Sequence, residues 1–364
     1  MKKKLIALLA VLALLLTLVA ACGPKQDVEV GIVLPTKDEP RWLQDQAQFE
    51  KLLGDAGFTS SVLFSQGSPA TEKTNVETLI NQGIKVLIIC AHDGDAAAAS
   101  AEAARDAGVT VIAYDRLITG TDAVDYYVTF DSVEVGKAQG QYLIDTRKQD
   151  GEPLYLYAGA DTDNNAFLFF QGAWEVLQPE IAAGNFVIAN SSEAEALASK
   201  KDLERDEIAK IIGQVTTNWD FNVAKSKAEA NLSAVGDDLK GDVAILAPND
   251  GTARAIADTF ESDAAVTSYE ISGQDAEKAS VQYIIDGKQS MTVFKDTRIL
   301  ASDSVDLAKK ILGGEKPSTD ATYNNGKIDV PSIQTEVIVV TKDKVKPVLI
   351  DSGYYEAGDF TGLD

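Results

Sequence analysis

From Val28 onward, short runs of β-branched and aromatic residues alternate with longer stretches in which apolar residues recur every three or four positions. Runs of the first kind predict strands at 28–34, 61–64, 86–90, 109–114 and 126–130. Trp42, Phe49, Leu52 and Leu53 mark a helix that Gly54 and Gly57 end, and further helices are expected over 69–81 and 95–106, the latter closed by Gly108. The second half repeats the rhythm, with strands at 154–157, 186–189, 243–246, 266–271 and 292–294. Its helices are expected at 165–177, 221–234, 251–260, 276–285 and 297–312. Such alternation predicts parallel α/β sheets. A chain of 364 residues exceeds one usual compact core, and two successive units of similar size predict two lobes built alike. One stretch departs from the rhythm: 191–210 is rich in Glu, Lys, Ala and Asp, and reads as a solvated helix or hairpin insertion with i,i+4 charge pairs. No Pro/Ser-rich linker separates the halves, so short hinge strands are expected between them.

The N-terminus carries a separate signal. Lys2, Lys3 and Lys4 precede an uncharged apolar run from Leu5 to Ala21, the layout of a secretory signal. A run of that length could also be retained as a membrane helix. Against this, Val19-Ala20-Ala21-Cys22-Gly23 is similar to a bacterial lipobox, whose cysteine is acylated and becomes the first residue of the mature protein. Residues 1–21 are therefore expected to be a signal peptide, Cys22 the lipidation site and 22–27 a tether.

Charge and rare residues narrow the function. With 33 Lys+Arg against 56 Asp+Glu, the net charge of −23 repels phosphate backbones and anionic lipid, so nucleic acid is not an expected partner and the membrane is reached only through the anchor. Beyond Cys22 the one cysteine is Cys90, which can make no intramolecular disulfide and reads as a small buried hydrophobe. A single histidine, His92, removes most His-based zinc sites and leaves Ser/His/Asp chemistry hanging on one residue.

In parallel α/β sheets ligands bind beyond the carboxyl ends of the strands, so the polar residues there are the candidates. They are Lys37, Arg41 and Trp42 after the first strand, Asp93 after the third, and Asp115 and Arg116 after the fourth. In the second half they are Asn164 and Asn165, Asn249 and Asp250, Gln274 and Asp275, and Lys295, with Trp219 just before a helix. A sugar needs this mixture. Its hydroxyls both donate and accept, carboxylates and amides meet them, Arg and Asp read adjacent hydroxyl pairs, and C–H faces pack on rings such as Trp42 and Trp219. Asp161-Thr-Asp163-Asn-Asn165 opens like a calcium loop, but Ala166 and Gly172 stand where Gly and Glu are required. Neither a G-x-S-x-G elbow nor a Walker glycine loop is present, and no metal or cofactor is expected. Paired glycosidase carboxylates remain compatible with so acidic a chain, yet the donors and amides favour binding over catalysis.

Over 28–355 the chain resembles the periplasmic sugar-binding proteins of ABC importers, in the ribose-binding-like group and nearest the xylose-binding and multiple-monosaccharide-binding proteins. The resemblance is carried by Pro35-Thr36-Lys37 with Arg41-Trp42, Ala113-Tyr114-Asp115-Arg116-Leu117-Ile118, Asp125-Tyr126-Tyr127 with Thr129-Phe130-Asp131, and Asp163-Asn164-Asn165-Ala166. It continues in Ser272-Gly273-Gln274-Asp275-Ala276, Phe294-Lys295-Asp296-Thr297-Arg298, Asn325-Gly326 with Val330-Pro331-Ser332, and Gly353-Tyr354-Tyr355. It implies the type I periplasmic-binding-protein fold: two Rossmann-like lobes joined by three crossovers, 28–130 with 296–332 forming one and 131–295 with 333–364 the other. It also implies a monosaccharide of the xylose, glucose, galactose or arabinose class bound between the lobes and delivered by a monomer to an ABC permease. On that resemblance Lys37, Arg41, Asp115 and Arg116 bind hydroxyls from the first lobe, and Asn164 or Asn165, Asn249, Asp275 and Lys295 from the second. Trp42 and Trp219 are the stacking rings. Two departures stand out: Pro40 occupies the place of an acidic residue before the Arg-Trp pair, and 191–213 matches poorly. A sugar-sensing adaptor for a chemoreceptor or sensor kinase would look the same. A repressor of related fold would carry a helix-turn-helix before the first strand, and none is present.

Overall fold

The computed structural model describes residues 28–363, so the signal segment, Cys22 and the tether to residue 27 lie outside the described residues. The first lobe begins with β1 (Val30–Leu34), α1 (Pro40–Asp55), β2 (Ser60–Phe64), α2 (Pro69–Asn81), β3 (Val86–Ile89), α3 (Ala98–Asp106), β4 (Thr110–Tyr114) and β5 (Tyr126–Phe130). The chain then crosses into α4 (Ser132–Thr146), β6 (Glu152–Leu156), α5 (Asn164–Ala182), β7 (Phe186–Ile188), α6 (Ser192–Ala196), α7 (Arg205–Val215), α8 (Phe221–Ala234), β8 (Gly241–Leu246), α9 (Asp250–Glu261), β9 (Val266–Ile271), α10 (Lys278–Asp286) and β10 (Thr292–Phe294). It returns through α11 (Thr297–Leu312), β11 (Ala321–Asn324) and β12 (Asp329–Thr335), and crosses again to β13 (Ile338–Val340).

The first sheet has the order β11-β12-β5-β4-β3-β1-β2, parallel except for the β11–β12 hairpin. The second has the order β7-β6-β8-β9, all parallel, and a bridge from Gln274 to Val293 joins it to the antiparallel pair β10–β13. Helices cover both faces of each sheet, which is why β1, β3 and β6 are buried along their whole length. In the first lobe, one face packs Val33, Leu87 and Val111 against α2 and α3, and the other packs Ile32, Ile88 and Ile112 against Phe49 of α1 and Leu300 of α11. This is the two-lobed, mixed α/β architecture expected.

Three crossovers join the lobes, at 131, at 295–296 and at 336–337. The first and third are tied together: Asp131 N–H donates to the Thr335 carbonyl at 3.1 Å, and Gln334 Nε2 to the Asp131 carboxylate at 2.7 Å. The third lies later than the boundary after Ser332, because β12 stays paired with β5 as far as Thr335.

The segment 191–210 is not a solvated appendage. Ala194 and Ile208 are buried in the core of the second lobe beside Ile211, Ile212 and Trp174. Trp174 Nε1 donates to the Lys200 carbonyl at 2.9 Å and Gln178 Nε2 to the Ala198 carbonyl at 2.8 Å. Few large apolar residues suffice because each of them points inward. Another element escapes the pattern altogether. Helix α4 carries Gly136 and Gly140, poor helix formers, and exists because they let α5 pack against it with almost no gap. A Cβ on Gly136 would overlap the Phe169 carbonyl, and one on Gly172 the Val133 carbonyl.

Candidate functional site

The carboxyl ends of both sheets face each other across a small void. From the first lobe, the opening turn of α1 presents Arg41 and Trp42, both buried. Arg41 Nη2 lies 2.6 Å from the Asp115 carboxylate, and its guanidinium is 4.5 Å from the Trp42 ring centre. Arg116 also lies over Trp42, at 5.3 Å. Asp115 directly follows β4 with φ 62, a left-handed conformation that Asp tolerates better than most residues. That turn is held by the backbone: the Asp115 carbonyl accepts from the Tyr127 hydroxyl at 2.7 Å and from Asn165 Nδ2, across the lobes, at 2.8 Å.

From the second lobe, Asp163 caps α5 by accepting from the Asn165 N–H at 2.9 Å, and its other oxygen meets Arg116 Nε at 3.0 Å. Asn165 and Phe169, one turn apart on α5, both line the void. Asn249 caps α9. Asp275, with φ 97, pairs with Lys295 Nζ at 2.7 Å and approaches Arg41 Nη1 at 3.7 Å. Trp219 closes the remaining side with φ 60, an unusual conformation for a bulky residue, and its ring rests on Gly159, where any Cβ would overlap it. Backbone strain at three lining residues marks a surface shaped for a ligand rather than for stability.

The charges are mutually compensated. Burial pushes the Asp115 carboxyl up, but Arg41, Lys295 and Arg116 outweigh it and hold it below the usual carboxylate range. For Asp163 the balance is reversed, burial exceeding the pull of Arg116 so that its carboxyl is raised. Trp219 Nε1 and Gln274 Oε1 both border the void and are buried without a hydrogen-bond partner in the protein. Buried polar atoms rarely stay orphaned. A ligand with several hydroxyls would satisfy them.

Of the residues singled out in the sequence, Arg41, Trp42, Asp115, Arg116, Asn165, Trp219, Asn249, Asp275 and Lys295 are brought together here, with Gln274. Three are not. Lys37 is exposed and lays its ammonium over the Phe64 ring at 4.7 Å, outside the void. Asp93 caps a turn, accepting from the Ala96 N–H at 2.9 Å. Asn164 turns outward to accept from Arg205 at 2.8 Å. Each follows a strand, but its side chain points away from the cleft. Glu39, Asp163 and Phe169 were missed. Phe169 was legible one helical turn beyond Asn165. Glu39 supplies, one position earlier, the acid that Pro40 displaced, 3.9 Å from Arg116.

Comparison with known proteins accords with this geometry. The profile of the family described as periplasmic binding protein domain matches residues 30–316. The chain is 36% identical over 338 residues to the multiple sugar-binding periplasmic receptor ChvE of Rhizobium radiobacter, covering 90% of this chain and 91% of that one. It is 31% identical over 360 residues to the D-xylose-binding periplasmic protein of Escherichia coli strain K12, covering 99% and 100%. Among solved structures, a carbohydrate transporter solute-binding protein from Chloroflexus aurantiacus in complex with D-glucose shares 67% identity and superposes with a TM-score of 0.91, covering 92% of this chain and 98% of that one. With a family match over most of its length and relatives aligned nearly end to end, the chain belongs to the periplasmic binding protein family.

Proposed function

We propose that this protein is an extracytoplasmic solute-binding lipoprotein that captures one monosaccharide between its lobes and delivers it to an ABC permease. The observation that carries the reading is the convergence, from both lobes on one small void, of charged donors and acceptors, two tryptophan rings and two orphaned polar atoms, Trp219 Nε1 and Gln274 Oε1. The names of the relatives point the same way, and D-glucose in the Chloroflexus aurantiacus protein puts hexoses first, with xylose, galactose and arabinose in the same class. Arg41, Asp115 and Arg116 bind hydroxyls from the first lobe, Asn165, Asn249, Asp275 and Lys295 from the second, and Trp42 and Trp219 flank the ring. Because a sugar in this position touches both lobes, it binds the closed arrangement more tightly than the open one and shifts the equilibrium toward the form a permease can recognise. No chemistry on the sugar is required. The term receptor in the name of the Rhizobium radiobacter relative favours, as a second reading, a sensing role for the same loaded form.

A thermal-shift screen followed by calorimetric titration with D-glucose, D-xylose, D-galactose and L-arabinose tests the reading. At a hundred times its dissociation constant a cognate sugar adds about 2.7 kcal/mol of stability. Absence of any shift with all four sugars, or their chemical turnover, would sink it.

A further inference from the structure

We propose that Asp45, which does not line the void, is a positioning residue that holds the Arg41 guanidinium in its sugar-binding orientation, and does so only while ionised. This rests on the sugar-binding reading above and extends it to a residue behind the binding surface. Asp45 lies one turn beyond Arg41 on α1 and is fully buried. Its Oδ2 is 3.5 Å from Arg41 Nε, which has no hydrogen-bond partner, and the Tyr114 hydroxyl is directed at the same carboxyl. The other guanidinium edges face Asp115 at 2.6 Å and Asp275 at 3.7 Å. Arg41 is thus gripped by three carboxylates, two that line the void and one behind. A guanidinium is a rigid plane, so an anion drawing on the Nε edge sets where the two Nη groups point.

An anion so deeply buried is an expensive fixture in a core. Burial raises the Asp45 carboxyl to about 7, in spite of the opposing pull of Arg41. The titratable and charged groups around it are Arg41 on its own helix, Tyr114 and Asp115 from β4, Lys295 from the second crossover, and Tyr354 from the C-terminal segment of the opposite lobe. Among these it is the carboxyl whose charge changes near neutrality. If the ionised form is the one that aims Arg41, sugar affinity falls as pH drops through 7, and binding at pH 7 releases a proton. Stability responds with the opposite sign. A carboxyl raised above its unfolded value destabilises the fold above its folded pKa, and that cost disappears as pH falls below the unfolded value.

Calorimetric titration with D-glucose, or whichever panel sugar binds, at pH 6, 7 and 8 reads both effects. Wild-type affinity is expected to be about tenfold weaker at pH 6 than at pH 8, the scale of one charge-assisted hydrogen bond. Asp45→Asn is expected to be weak and flat across this range while its sugar-free melting temperature at pH 8 rises above wild type. A purely structural carboxylate would give the rise in melting temperature but leave the pH slope of affinity unchanged. Glu72→Gln is the control, since Glu72 is also raised to about 7 by burial but contacts Ser65 and the His92 N–H rather than Arg41, and it should keep the wild-type slope. Should Asp45→Asn fail to fold, titrations of the wild type at pH 7 in two buffers of different ionisation enthalpy still test the inference: proton release is expected, and its absence overturns the role of Asp45. An Asp45→Asn variant that keeps the wild-type pH slope, or proton uptake on binding, overturns the role of Asp45 while leaving sugar binding intact. A wild type that binds no sugar at any pH overturns the functional reading, and this inference with it.

Discussion

Asp115 does two things at once, and a change of one atom separates them. Its carboxylate faces the void and also holds Arg41 at 2.6 Å within the first lobe. Asp115→Asn keeps the shape and the tight turn but removes the charge. Loss of one charged hydrogen bond to a sugar costs about 1.5–3 kcal/mol, so calorimetry should show affinity reduced roughly ten- to a hundredfold. The sugar-free protein should also melt earlier at neutral pH, which a carboxylate in an open, hydrated cleft would not cause. Because the folded-state pKa of Asp115 is lowered, its stabilising contribution is present above the unfolded value and is lost as pH falls through the folded one. The difference in melting temperature between variant and wild type should therefore shrink in acid. Gly159→Ala probes the opposite wall. The added methyl would overlap the Trp219 ring, which is only half-buried and can swing outward. Expected outcomes are weaker sugar binding and altered tryptophan fluorescence with little change in melting; unchanged affinity would show that the ring position is irrelevant to the ligand.

Among the elements, the segment from α6 into α7 departs furthest from its composition. Its charges are not paired along one helix face: Lys200, in the connection, reaches Glu207 of α7 at 2.7 Å. Helix α7 turns Ile208, Ile211, Ile212 and Val215 into the core and leads directly into the turn that carries Trp219. Ile208→Ala should therefore cost about 2–5 kcal/mol in urea unfolding, as for a core residue. Lys200→Ala, at a part-exposed ion pair, should cost under about 1 kcal/mol. Equal and small effects would restore the picture of an appendage. Helix α4 teaches the complementary lesson: its glycines weaken it locally, and only the shape of α5 makes them an advantage.

For the whole molecule, anchoring and closure are the open quantities. If Cys22 carries the lipid, Cys22→Ser should move the mature chain from the membrane fraction to the soluble one, whereas retention with an uncleaved N-terminus would argue for a membrane helix. Closure is built into the contacts between the lobes. Arg116 to Asp163 at 3.0 Å, Asn165 to the Asp115 carbonyl at 2.8 Å, and the Gly94 N–H to the Thr162 carbonyl at 3.0 Å all cross the cleft. These join polar groups that water would serve nearly as well in an open form, so the balance between open and closed is left to what occupies the void.

The alternation of strand and helix, and hence the two-lobed α/β architecture, was written in the sequence because a strand buried on both faces must be apolar throughout and its helices amphipathic. The strand-end rule found Arg41, Asp115, Asp275 and Lys295 for the same reason, since topology alone brings those loops to one edge. Side-chain direction lies beyond such rules. Lys37, Asp93 and Asn164 obey them and still point elsewhere, while Glu39 enters the site beside Arg116 of its own lobe and Asp163 because the opposite lobe offers Arg116. The left-handed turns at Asp115, Trp219 and Asp275, and the burial that gives Asp45 its unusual carboxyl, arise from contacts between residues far apart in the chain. Periodicity reports which face of an element is apolar; only the assembled lobes determine what each remaining polar group meets.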